Sequence, residues 1–192
     1  MVEVNSALMA GVVRGEPSAY MCCGESFWAF DLEVVRYSGT VDVIPVNCPK
    51  LILESVKEGD RLSFEGQLRS YARTNNSVSK LYIVFFVLGV HPYERDINEV
   101  SLEGYICDSP HFKVTSSRRE ICYSLLAVNR GYRKSDYIPQ VFWGRTARRV
   151  YRLKTGNRLS VIGRLQSRTY TTKDGKRTVY EVSSSQALLI TE

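Results

Sequence analysis

The chain has 192 residues, 44% of them apolar and 24% charged, a composition that suits a globular protein and excludes collagen-like or low-complexity classes. No run of about 18 apolar residues occurs, so no membrane helix is expected, and Glu3 and Asn5 stand where a signal peptide would be basic. The net charge of +6 is unevenly held: residues 99–192 carry 17 Lys and Arg against 8 Asp and Glu, while residues 1–98 carry 9 against 12, which points to a polyanion partner for the second half.

The five cysteines are odd in number, and the one close pair, Cys22-Cys23, is directly adjacent. That is no secreted disulfide framework, so a reducing, cytoplasmic setting is expected. Two histidines and no Cys-x-x-Cys leave neither a metal site nor a cofactor in view.

In chain order, the opening elements return in the second half. Val4 to Gly11 matches Ile97 to Gly104, Arg36 matches Arg130, and Asp42-Val43-Ile44-Pro45 matches Asp136-Tyr137-Ile138-Pro139. Gly59 to Leu68 matches Gly156 to Leu165, and Tyr82-Ile83-Val84 matches Tyr180-Glu181-Val182. Ordered blocks with small loop insertions between them indicate two copies of one unit. The first copy has a helix predicted over 49–57, with Pro49 at its start and Gly59 beyond its end. His91-Pro92-Tyr93-Glu94-Arg95-Asp96 is polar and proline-broken, which places the joint there and divides the chain into an acidic 1–95 and a basic 96–192.

In the second copy, Leu102, Gly104 and Ile106 alternate with polar neighbours as a strand does. Further strands are predicted at 121–128, 137–143, 158–170 and 178–190, with Asp174-Gly175 as a hairpin turn. A short helix over 145–153 would put Ala147, Val150 and Tyr151 on one face, stopped by Gly156. The fold class is therefore all-β with one short helix per domain: two tandem OB-fold, five-stranded Greek-key barrels.

Period-2 arithmetic sorts these strands by face. On 158–170, Leu159, Val161, Gly163 and Leu165 read as core. Arg158, Arg164, Arg168 and Tyr170 share the opposite face, a costly arrangement without an anionic partner. Tyr137 and Trp143 are cofacial, and the loop before them adds Arg130, Tyr132, Arg133 and Lys134. Lys173 and Lys176 flank the last hairpin turn; in the first copy Arg61, Arg69 and Tyr71 keep a weaker version of the pattern. Aromatic rings interleaved with cations on an open sheet suit single-stranded nucleic acid, because bases stack on rings while Lys and Arg track phosphates. No basic helix long enough for a duplex groove is evident.

The second copy also resembles the OB domain of bacterial single-stranded DNA-binding proteins. The matching blocks are Asn98 to Gly104, Leu126 to Arg130, Asp136 to Gly144, Gly163 to Arg168, and Asp174-Gly175 before Tyr180-Glu181-Val182. The resemblance implies stacking of bases on Tyr132, Tyr137, Trp143 and Tyr170, assembly of four OB domains (a homodimer of such chains), and partners in DNA replication, repair, transfer or mobile-element biology. The first copy departs from it, with Val43 in place of Tyr137 and Cys48-Pro49 in place of Phe142-Trp143. The chain stops at Leu188-Leu189-Ile190-Thr191-Glu192, without the acidic C-terminal tip common in the family. Alternatives are a tail-less accessory protein resembling primosomal replication protein B, an OB module for protein interaction, and single-stranded RNA binding.

Catalysis is not expected. No glycine-rich phosphate loop, nucleophile elbow or two-histidine helix motif occurs. His91 reads as a linker residue, His111 as a loop residue, and Cys107 and Cys122 as small apolar side chains.

Overall fold

The structure is a computed structural model that describes residues 3–75, 78–172 and 175–191. Lys173, and Asp174 of the predicted Asp174-Gly175 turn, lie outside the described residues.

The first half consists of β1 (Asn5–Cys22), β2 (Glu25–Val35), β3 (Val41–Pro49), β4 (Arg61–Asn75) and β5 (Val78–His91). Strand pairing runs β1-β2-β3-β5-β4 and back to β1, antiparallel except between β3 and β5. The second half repeats this circuit with β6 (Ile97–Ile106), β8 (Glu120–Arg130), β9 (Lys134–Trp143), β10 (Arg158–Thr172) and β11 (Gly175–Ile190). Each circuit is a closed five-stranded barrel of OB type. Closure needs a strand that serves two sheets, and glycine lets it pass. A Cβ on Gly11 of β1 would sit 2.1 Å from the Glu33 carbonyl oxygen, and one on Gly104 of β6 would sit 2.4 Å from that of Ala127.

Alternation delivers the expected inner faces. Phe64, Leu68 and Phe85 fill the first barrel, and Leu126, Ile138, Phe142, Leu159, Val161 and Leu165 fill the second. The tertiary structure adds one strand and corrects several of the expected elements. A short strand β7 (His111–Val114) pairs with β8, so His111 opens a strand rather than sitting in a loop. His91 closes β5, which shortens the connection to residues 92–96.

The helix predicted over 49–57 does not form. Pro49 still belongs to β3, and the chain makes one turn in which Ile52 and Leu53 N–H donate to the Pro49 carbonyl. Leu53 O then accepts from Trp28 Nε1 at 3.0 Å, a tertiary bond that takes a carbonyl a helix would need. Among the described residues the sole α-helix is α1 (Gly144–Val150), which buries Ala147 and Val150 and ends short of the predicted Leu153. The repeat also slips by one residue at its last block. Tyr82 pairs with Tyr71 and Tyr180 with Ser167, so Ile83, not Tyr82, corresponds to Tyr180. A one-residue slip changes the face on which a ring stands, and hydrogen-bond ladders, not letters, set the register.

The two barrels share a sheet. β1 and β6 run antiparallel, Asn5 opposite Leu102 and Ala10 opposite Ile97, with the equivalent residues Ala7 and Val100 paired at the pseudo-two-fold axis. Buried apolar side chains of both halves form one continuous core across this seam, including Ala7, Met9, Val100 and Leu102.

The same axis repeats a polar clamp. Asp136 is fully buried and accepts from Ser70 N–H at 2.8 Å and from Arg69 at 3.1 Å, both from the other half. Its counterpart Asp42 accepts from Ser167 N–H at 2.9 Å and is held by Arg36 in two short bonds. The Ser70 hydroxyl in turn accepts from Tyr137 N–H at 2.7 Å, and that of Ser167 from Val43 N–H at 3.0 Å. Each half thus fixes the other's β4–β5-type hairpin against its own third barrel strand.

Candidate nucleic-acid interface

β8 and β9 pair Ile121 with Trp143, Tyr123 with Val141, Leu125 with Pro139 and Ala127 with Tyr137, so these residues share the outer face of the second barrel. Trp143 and Tyr137 remain 39% and 44% exposed on it. Trp143 Nε1 donates to the Ser183 hydroxyl at 3.1 Å, which orients the indole on the sheet while leaving ring surface to solvent. Tyr123 carries Lys113 over its ring at 5.0 Å from the centroid, a cation placed beside an aromatic. Sequence reading missed Tyr123, because β8 is apolar on both faces. Its signal was the cross-strand register with Trp143, which requires the pairing to be known.

The β8–β9 turn holds Tyr132 and Arg133 in left-handed backbone conformations, φ 61° and 55°. Non-glycine residues there cost about 1–2 kcal/mol each, so the turn holds strain where it projects Tyr132, 98% exposed, and Arg133 into solvent. Lys134 is exposed beside them.

The arginines predicted to line one strand face divide by environment. Arg158 is held by Glu103 at 3.2 Å with Glu3 at 3.8 Å, and Arg130 lies 3.5 Å from Asp136. Arg168 is half-exposed and 3.8 Å from Glu181. Carboxylates of the protein therefore partly meet the charge that suggested an anionic ligand. Arg164 is different. It is half-buried and belongs to none of these carboxylate pairs, and burial followed by the nearby Arg36 guanidinium pulls its pKa below the usual arginine value; its Nε lacks a hydrogen-bond partner, as do those of Arg130 and Arg158. Tyr170 and Lys176 are exposed on the β10–β11 hairpin.

In the first half, Arg69 is spent on Asp136 and lies over Phe86 at 5.9 Å, and Arg61 lies over Tyr93 at 5.7 Å. Tyr71 stacks on Tyr82 with centroids 5.4 Å apart. Pro49 occupies the place of Trp143, Val43 that of Tyr137 and Ala29 that of Tyr123. The aromatics here sit elsewhere: Tyr20 stacks on Phe27, and Trp28 lies under Lys50 at 4.0 Å.

The strands that carry this face lie in a stretch similar to known proteins. Residues 97–190, the strands that carry it, match the model of the single-strand binding protein family. A relative named single-stranded DNA-binding protein 1, from Clostridium acetobutylicum, is 37% identical over 89 residues, covering 42% of this chain and 81% of that protein. The chain belongs to the single-strand binding protein family. A single-stranded DNA-binding protein of Bacillus cereus is 38% identical over 88 residues, of which the match spans 52% of its length. The fold of the whole chain is also found in a solved structure, a deletion mutant of the single-stranded DNA binding protein from Thermus aquaticus. It superposes with a TM-score of 0.79 at 19% identity, over 100% of this chain and 96% of that one.

The described residues of this family member contain no group of three or more His, Cys, Asp or Glu placed to hold a metal ion. They contain no helix long and apolar enough to cross a membrane. All five cysteines are free, and burial pushes the Cys48 and Cys122 thiols up to about 11, which keeps them protonated and inert.

Proposed function

We propose that this protein binds single-stranded DNA without chemistry and with little sequence preference, mainly through residues 96–192 treated as one OB domain, with 1–95 as the other. The observation that carries this reading is the outer face of the second barrel. Trp143 and Tyr137 stand there exposed, with half-buried Tyr123 between them, while Tyr132, Arg133 and Lys134 project from one end and Arg168, Tyr170 and Lys176 from the β10–β11 hairpin. Rings supply stacking at about 1–3 kcal/mol per base, and the cations supply a salt-dependent hold on phosphate. The strand enters from the Tyr132 turn, stacks across Trp143, and meets Arg168 and Lys176 at the hairpin. Membership of the family and the names of the relatives support DNA as the ligand. The setting proposed is the cytoplasm, in replication, repair or transfer of DNA, and two chains are proposed to pair and so bring four barrels together.

Fluorescence titration with dT, rU and duplex oligonucleotides of equal length tests the ligand. Tight quenching by dT with weak response to the other two is expected; stronger binding of rU or duplex overturns DNA single strands as the ligand. Sedimentation at micromolar concentration tests the dimer, and a monomer mass at all concentrations rejects it.

A further inference from the structure

The β4–β5 hairpin of the first half and the β10–β11 hairpin of the second line a cleft of about 710 Å³ together with Pro45 and Pro139. The two walls differ in chemistry at equivalent places. The first half presents the stacked pair Tyr71 and Tyr82, 43% and 37% exposed, with Lys80 beside them. The second presents Arg168 where the first has Tyr71, followed by Tyr170. Tyr123 lines the cleft and also belongs to the Trp143 face, so cleft and face are continuous. Among the described residues Lys80 takes part in no ion pair. The polar clamp fixes the relative position of the walls, since Ser70, next to Tyr71, is bonded to Asp136 and Tyr137, and Ser167, next to Arg168, to Asp42 and Val43.

We propose that this cleft is a second, composite subsite for the nucleic-acid strand, in which bases stack on Tyr71 and Tyr82 of the first half while Arg168 and Lys80 hold the flanking phosphates. It rests on the single-strand reading above and deepens it. Each wall contributes both rings and cations, Tyr71, Tyr82 and Lys80 on one and Tyr170, Arg168 and Lys176 on the other, with Glu181 beside Arg168. Rings and cations facing one cleft are what a stacked base with its phosphates requires. The first half is thereby a working part of the site, although its own Trp143 and Tyr137 positions are empty of aromatics. A strand leaving Trp143 passes Tyr123 and enters the cleft, so a long strand uses both subsites and a short one needs only the outer face.

The full-length protein carrying Tyr71→Leu and Tyr82→Leu together, and separately Lys80→Glu, is titrated with dT of about 8 nucleotides and of about 30, the latter longer than the ~16 that one OB fold occupies at most. The expected result is near wild-type affinity for the short strand and a loss of roughly tenfold or more for the long one. Photocrosslinking of the wild-type protein to an iododeoxyuridine-substituted 30-mer is expected to label Tyr71 or Tyr82. Lys80 is exposed, so its variant answers the question if the tyrosine pair proves needed for folding. Unchanged affinity of the folded variants for the long strand, with crosslinks confined to residues 97–190, overturns the cleft. A Trp143→Ala protein that binds like wild type instead sinks the outer-face reading, while a crosslink at Tyr71 or Tyr82 still upholds the cleft.

Discussion

The two barrels use the same scaffold and expose different chemistry on it. At the seam and in the closure of each barrel they are near copies: Asp42 and Asp136, Ser70 and Ser167, Asn5 and Asn98, and Gly11 and Gly104 perform matching tasks. Asn5 exchanges two hydrogen bonds with the Leu68 backbone, and Asn98 does the same with Leu165. On the outer face they have diverged, with Pro49, Val43 and Ala29 against Trp143, Tyr137 and Tyr123. Positions that hold the halves together cannot change singly without leaving a buried polar group unpaired, whereas solvent-facing positions change freely. The fold therefore constrains the seam and leaves function to the surface.

The strongest way to break the comparison is at the seam. Asp136→Ala removes the acceptor of the Ser70 N–H and Arg69, and an expected loss of about 3–5 kcal/mol in denaturant melts follows from uncompensated buried charge. Asp42→Ala should cost a similar amount. A small loss at one site alone would show that the axis is symmetric in geometry but not in energy.

The two tryptophans sharpen the contrast between the faces. Trp143→Ala should weaken single-strand binding by about 1–3 kcal/mol with little change in melting temperature. Trp28→Ala should do the reverse, since Trp28 is packed against the core and bonded to Leu53. With Trp28→Phe as background, Trp143 is the single remaining indole, and its fluorescence should fall on binding. A large fall in melting temperature for Trp143→Ala, with normal binding of the folded fraction, would make it a core residue.

Salt dependence separates cations that face the strand from those the protein already pairs. Lys176→Ala or Arg133→Ala should each flatten the slope of log affinity against log salt by about 0.7, whereas Trp143→Ala should leave it nearly unchanged. Arg158→Ala should also leave the slope alone, because Glu103 and Glu3 hold that guanidinium. A slope change from Arg158 would return it to the interface. The smallest effect expected is that of Lys50→Ala, about 0.5–1 kcal/mol of stability from the lost contact with the Trp28 ring, with binding unaffected.

Much of this molecule is written locally, and that part was legible. Period-2 alternation fixes which residues of β10 face inward, because side chains on a strand must alternate. Repeat blocks containing Gly11 and Gly104 exposed the duplication, since no other residue passes so close to a neighbouring carbonyl. The cofacial placement of Tyr137 and Trp143 follows from the same arithmetic. Tertiary structure decided the rest. Whether residues 49–57 become a helix depends on a bond from Trp28, more than 20 positions away in the chain. That Arg158 is bound to Glu103 while Arg164 lies near the Arg36 guanidinium cannot be read from their shared face, because their neighbours come from distant segments. Tyr71, Tyr82 and Tyr123 meet around one cleft only because β1 pairs with β6 and the buried aspartates clamp each hairpin to the opposite barrel. Alternation along a strand is a property of the backbone, but the partner of a side chain is set by contacts between segments distant in sequence.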